Sequence, residues 1–208
     1  MSSIEVEDEA EAFRARCAAR LHAAPADSYC GDHLLVADPL PLPEARPAAV
    51  LVPIVPRGPS LQVILTLRSA HLPNHAGQIA FPGGKIDPGD ADATAAALRE
   101  AEEEIGLAAD FVAPLGFLDV YLSASGFRVT PVVGLVRPDY ALTLNPGEVD
   151  EAFEVPLTHL MTPDNHVFVE RPWRGSTRRV YSIECGPRTV WGLTAGIVRN
   201  MYDRLYGA

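Results

Sequence analysis

Between Gly83 and Leu107 the chain reads GGKIDPGDADATAAALREAEEEIGL, a stretch that carries both ends of a helix. Asp92 is an N-cap residue type, Ala93 to Ile105 is dominated by strong helix formers, and Gly106 with Leu107 forms the glycine-then-apolar ending of a C-terminus. The spacing predicts about three and a half turns. At roughly 100° per residue, Ala97, Leu98, Ala101 and Ile105 gather on one side, and Glu100, Glu103 and Glu104 on another. Whatever fold this chain adopts must cover the first stripe with a core and turn the glutamates elsewhere.

The glutamate stripe works against the helix that carries it. Glu100 and Glu104 are like charges at i,i+4, which costs about 0.2–0.5 kcal/mol. They also lie near the C-terminus, where the helix dipole disfavours each anion by roughly 0.3–1 kcal/mol. A cation reverses the sign of both penalties. Arg99 reaches Glu103 at i+4 and can orient it, but one guanidinium does not balance three carboxylates. A solvated acidic face is the ordinary reading of a Glu-rich helix. The preceding loop argues for more, because Phe81, Pro82, Gly83 and Gly84 place permissive backbone before a turn containing Asp87, Asp90 and Asp92. Hard Mg²⁺ takes a few carboxylates together with carbonyl, water and phosphate oxygens, and the Gly83 carbonyl is a candidate ligand. Glu102 projects away and reads as solvated.

Around this segment, Val50 to Val55 and Leu61 to Leu67 read as strands flanking a turn at 56–60, followed by strands at Leu115 to Tyr121, Val129 to Val136, His166 to Val169 and Arg179 to Ile183. Helices are expected over residues 5–23 and Trp191 to Tyr206, with Pro39 to Pro47 as a connector. Strands around a central helix with a closing helix predict an α/β fold, a mixed sheet sandwiched between helices. The expected division is residues 1–47 as a helix and connector packed on a unit of 48–208, one globular domain in all, which suits 208 residues.

Twenty-seven acidic against seventeen basic residues give a net charge of −10, which argues against nucleic acid and anionic membranes as partners. No run is apolar enough to span a bilayer, and the acidic N-terminus is unlike a signal peptide, so a cytoplasmic location is expected. Cys17, Cys30 and Cys185 show no Cys-x-x-Cys spacing and read as reduced, structural thiols.

The segment closely resembles the Nudix box. Arg99, Glu100, Ala101, Glu102, Glu103, Glu104, Ile105, Gly106 and Leu107 match its second half, Arg-Glu-apolar-x-Glu-Glu-x-Gly-apolar, at every specified position. The first half departs: counted from Gly84 it is one residue longer than usual, and Asp90 or Asp92 must stand in for its glutamate. Gly-Gly-Lys with spaced aspartates resembles the branch acting on coenzyme A. So does the upstream signature, here Leu65, Thr66, Arg68, Ser69, Gly77, Phe81, Pro82, Gly83 and Gly84, although its second arginine falls on Pro73. Asn145, Glu148, Val149, Phe153, Val155, Pro156 and Leu157, and then Trp191 to Ala195, echo further segments of the family.

The resemblance implies the Nudix α/β/α fold and a Mg²⁺- or Mn²⁺-dependent hydrolysis of coenzyme A to 4′-phosphopantetheine and adenosine 3′,5′-bisphosphate. Glu100 and Glu104 would hold metal, with Glu103 sharing it or activating water and Gly83 completing the shell. Arg99 would orient Glu103, and Glu148 is the reserve base. Arg68, Ser69, Gly77, Phe81, Gly84 and Lys85 would contact substrate. Alternatives stay open: another nucleoside diphosphate derivative such as ADP-ribose or NADH, or a non-catalytic nucleotide-binding module. The basic group Arg171, Arg174, Arg178 and Arg179 around Trp173 and Tyr181 reads as a nucleotide grip, a solvated hairpin or a contact in a homodimer.

Overall fold

Alternation along one strand sets the architecture. In β2 (Arg46–Arg57), Ala48, Val50, Val52 and Ile54 face one side while Ala49, Leu51 and Val55 face the other, and all are buried. A two-residue period with both faces withdrawn from water belongs to a strand between two helical layers. The structure is a computed structural model that describes residues 3–31, 45–58, 60–173 and 176–207. The expected connector lies outside the described residues up to position 44, and Arg46 and Pro47 already belong to β2.

β2 runs parallel to β8 (Phe127–Val136), with Ala48 opposite Val129 and Ile54 opposite Leu135. Its other edge forks. The early part pairs with β5 (Gly83–Lys85), and the last four residues pair with β3 (Ser60–Arg68). Leu51 donates its N–H to Pro82 O at 2.9 Å on that forked edge. Pro53, two residues on, therefore points its missing donor into the gap between the branches, a place where proline is tolerated. The fork admits β5 beside β2 and delivers the glycine pair to the helix that follows.

The remaining strands of this nine-stranded sheet are β1 (Tyr29–Gly31), β4 (Ile79–Ala80), β6 (Val112–Phe117), β7 (Val120–Leu122) and β9 (Val149–Pro156). The main path is β1-β7-β8-β2-β3-β4, with β5 on β2, β6 on β8 and β9 on β3. On one face lies α2 (Ala93–Ile105), whose Ala93, Ala96, Ala97, Ala101 and Ile105 pack with Ala49, Leu51, Val55 and Ile64. On the other lie α1 (Ser3–Arg20), α3 (Leu157–Leu160) and α4 (Leu193–Leu205), bringing Phe13, Cys17, Leu160, Ile197 and Met201 against Val50, Val52 and Ile54. The expected α/β/α sandwich is what forms. A separate antiparallel sheet of β10 (Val167–Trp173), β11 (Ser176–Cys185) and β12 (Arg188–Trp191) contacts α4.

Several boundaries differ from the sequence reading, for local reasons. The stretch expected as one strand from Leu115 to Tyr121 is two, because the Asp119 N–H turns aside to Asn200 Oδ1 at 3.2 Å. The closing helix starts at Leu193, since Trp191 still pairs with Ser182 in β12. The first helix ends at Arg20, and His22 forms a bridge to Phe117. Among the described residues no helix is long and apolar enough to cross a membrane. All three cysteines are free thiols, and burial pushes Cys17 and Cys30 up to about 12, out of the range of reactive thiolates.

Candidate active site

The site forms where β5 passes into α2. After Lys85 the chain turns through Asp87 to Asp90, and the Asp87 N–H donates to Asp90 Oδ2 at 2.8 Å. Asp92 then caps the helix by accepting the Ala95 N–H at 2.8 Å. At the far end Gly106 adopts φ 70° and returns its N–H to Glu102 O, a left-handed cap that glycine takes without a Cβ penalty. The two aspartates left open by the sequence thus divide their work. Asp92 starts the helix, whereas Asp90 grips Arg99 in a two-pronged pair at 2.9 and 3.0 Å.

Arg99 is the clamp of the whole junction. Besides Asp90 it reaches Lys85 O at 3.1 Å, Glu103 Oε2 at 2.9 Å and Glu100 Oε1 at 3.0 Å. Its hydrogen bonds to Asp90 are the chief reason its pKa is held above the ordinary value, and they in turn hold Asp90 below its own. The orientation of Glu103 by Arg99, expected from the i+4 spacing, is present in the geometry.

The three glutamates do not share one environment. The Glu103 side chain is 56% exposed, Glu100 is 15% exposed and Glu104 only 2%. Glu104 accepts from Arg68 Nη1 at 3.3 Å and from the Gly83 N–H at 3.2 Å. Burial is the largest influence on it and pushes its pKa up to about 7; Arg68 and the Gly83 N–H offset this only in part, and Glu100 and Glu148 add to it. From an ordinary 4.5, that displacement is about 3 kcal/mol against the ionised form, several times the helix-surface repulsion read from the sequence. Glu100 is raised as well, by burial first, with Arg99 lowering it and Glu103 and Glu148 raising it.

Glycines make room for these side chains. A Cβ on Gly84 would lie 2.5 Å from the Glu100 carboxylate, and one on Gly83, at φ 154°, would lie 2.4 Å from Ala49 O. Only glycine lets the β5 backbone approach both β2 and the carboxylates. Among the described residues no three His, Cys, Asp or Glu side chains are gathered into a closed metal cage. Mg²⁺ does not require one, since it is bound through one or two carboxylates and keeps water and phosphate oxygens. Glu100 and Glu104, drawn up against side-chain-free backbone and short of donors, fit such an ion.

The other expected site residues fall into different places. Arg68 points at Glu104, and its Nε is buried without a partner. Ser69 is buried, its N–H donating to Glu148 O at 2.8 Å, so it anchors the loop carrying Glu148 instead of lining open space. Gly77, at φ 66°, closes the 69–76 loop by donating to Arg68 O at 3.1 Å. Phe81 is 3% exposed, and its ring is covered by the core on the face away from α2. Lys85 has an exposed side chain, and its carbonyl serves Arg99. In the basic hairpin Arg171 stacks over Trp191 at 5.2 Å and Arg179 over Phe168 at 4.5 Å, while Arg174 lies outside the described residues. The Arg68–Glu104 pair escaped sequence reading because 36 positions separate its members. The β3–β9 register that brings Arg68 opposite Val149, next to Glu148, has no local signal either.

Comparison with known proteins bears on the same segment. Residues 45–174 match the NUDIX domain family. The chain is 45% identical over 156 residues to an uncharacterized Nudix hydrolase, NudL, of Escherichia coli K12, covering 75% of this chain and 81% of that protein. It is 44% identical over 160 residues to NudL of Photorhabdus laumondii, covering 77% and 85%. Among solved structures it is similar to DR0079 of Deinococcus radiodurans, at 19% identity and TM-score 0.48 over 83% of this chain and 90% of that one. Carrying the box residues on the loop and helix just described, and matched over most of its length by the two NudL proteins, the chain belongs to the Nudix family of hydrolases.

Proposed function

We propose that this Nudix hydrolase cleaves the diphosphate linkage of coenzyme A to 4′-phosphopantetheine and adenosine 3′,5′-bisphosphate, with Mg²⁺ or Mn²⁺. The observation that carries the reading is Glu104, a carboxylate buried beside Glu100 and within the field of Glu148, with too few donors of its own. Glu100 and Glu104 would hold the ion, and the Gly83 carbonyl would add a neutral oxygen. The bound ion would neutralise diphosphate oxygens and lower the pKa of the attacking water. Arg99 holds Glu103 at 2.9 Å, its other oxygen would hold that water, and Glu148 would take the proton. Arg68, with one donor on Glu104 and an unpartnered Nε, would turn the spare donor to a substrate phosphate. The same reading includes a cytosolic enzyme with its three thiols free.

A second reading is favoured by one residue. Pro73 takes the position of the coenzyme A signature's second arginine, in the loop closed by Gly77 and Arg68, and brings no cation there. ADP-ribose or NADH would then be the substrate. Hydrolysis of each compound in ¹⁸O water decides between them, because the labelled product reports activity, substrate and attacked phosphorus together. Label in either coenzyme A product with slower turnover of the other two supports the first reading. Faster turnover of ADP-ribose or NADH replaces it with the second, and tight binding without product under either metal would make the chain a nucleotide-binding module.

A further inference from the structure

We infer that Asn145 is a positioning residue that aims the Glu148 carboxylate at the metal-facing glutamates. The inference rests on the reading of Glu148 as a catalytic base. Every polar group of Asn145 is engaged. Its N–H donates to Glu104 O at 2.9 Å, tying it to the C-terminal turn of α2. Its carbonyl accepts the N–H groups of Glu148 at 3.0 Å and Val149 at 2.9 Å. Its side-chain Oδ1 accepts the Gly147 N–H at 3.1 Å, and Nδ2 donates to Glu148 Oε1 at 3.3 Å. Only one orientation of the amide serves both side-chain partners, since a backbone N–H needs an acceptor and a carboxylate needs a donor.

The same turn is held from its other side, where Glu148 O accepts the Ser69 N–H one residue after Arg68. One residue therefore links Glu104, a proposed metal ligand, to Glu148, and Arg68 and Ser69 close the circuit. With its main chain pinned at both ends, the remaining freedom of Glu148 is its side-chain rotamers. The Nδ2 bond is the contact that selects among them.

Asn145→Asp separates the two uses of the side chain. Aspartate still accepts from Gly147 and keeps the turn, but it cannot donate to Glu148 and repels it. In this variant kcat should fall about 10- to 100-fold with KM within about twofold of wild type. Melting should stay within about 2 °C. In a Glu148→Gln background, Asn145→Asp should lower kcat no further, because its effect passes through that carboxylate. A crystal structure of Asn145→Asp should show the turn intact and the Glu148 side chain swung away. Wild-type turnover in Asn145→Asp, or an equal loss of kcat in the Glu148→Gln background, would overturn the inference. If wild type cleaves no diphosphate, the reading of the site fails on its own, and the crystal structure still decides: an unmoved Glu148 carboxylate overturns the positioning role.

Discussion

Glu104 and Asp119 are both carboxylates withdrawn from water, and they titrate in opposite directions. Burial is the largest single influence on each. For Asp119 it is outweighed by hydrogen bonds from Ser28, Asn200, His22 and Arg204, which hold the carboxyl well below the usual carboxylate range. Those partners lie close, with Asn200 Nδ2 and Arg204 Nη2 at 2.7 Å and His22 Nε2 at 2.9 Å. Glu104 has one guanidinium at 3.3 Å and one N–H at 3.2 Å, and it goes up. The difference separates a carboxylate that finishes a structure from one kept open for something else. Asp119 fastens the segment after α1 to α4, whereas Glu104 keeps unspent acceptor capacity beside Gly83 and Arg68.

Removing each charge should therefore do opposite things. Glu104→Gln is expected to lower kcat about 1,000-fold or more while leaving the metal-free protein at least as stable as wild type, because the buried charge it deletes was unfavourable. Steady-state kinetics beside thermal melting checks this, and near-normal turnover at saturating Mg²⁺ would remove Glu104 from the essential ligands. Asp119→Asn should show the reverse: a loss of about 3 kcal/mol, read as melting lower by roughly 6–12 °C, with kcat per folded molecule unchanged. A catalytic defect without a stability defect there would erase the contrast.

The pH dependence sharpens the comparison without mutation. The folded pKa of Glu104, about 7, lies above its ordinary 4.5, so folding favours the protonated form. Its contribution is fully present below 4.5 and is lost as pH rises through about 7, amounting to about 3 kcal/mol in metal-free protein. Asp119 lies below its ordinary 3.8, so its contribution is present above that value and is lost as pH falls through the depressed one. Urea unfolding between pH 4 and 8, with chelator, should show stability declining towards pH 7.5 in wild type and a flatter profile in Glu104→Gln. The smallest effect belongs to Gly84→Ala, whose methyl would displace the Glu100 carboxylate: kcat about tenfold lower, with stability changed by less than about 1 kcal/mol.

The two carboxylates also differ in how much the sequence revealed of them. α2 was legible because its signals are local, with Asp92 and Gly106 at its ends and a 3.6-residue period between. That period put Glu100, Glu103 and Glu104 on one side, but it carries no information on depth. Depth depends on β5 entering the fork beside β2, and β5 is three residues long. Phe81 shows the same limit from the other side: in the link between β4 and β5 its ring packs into the core, while Gly83 and Gly84 two and three residues on lie against Glu104 and Glu100. Asp119 gave no signal at all, since its partners lie 81 to 97 positions away. Family resemblance reads the box on the helix because its residues are contiguous, and it leaves open whether Asp90 or Asp92 takes the acidic position; in the fold it is Asp90 that pairs with Arg99.

A calorimetric titration of wild type, Glu104→Gln and Asp119→Asn with Mn²⁺ tests the distinction most directly. Wild type and Asp119→Asn should bind with the same affinity, and Glu104→Gln about 100-fold or more weakly. Equal Mn²⁺ affinity in wild type and Glu104→Gln would contradict it.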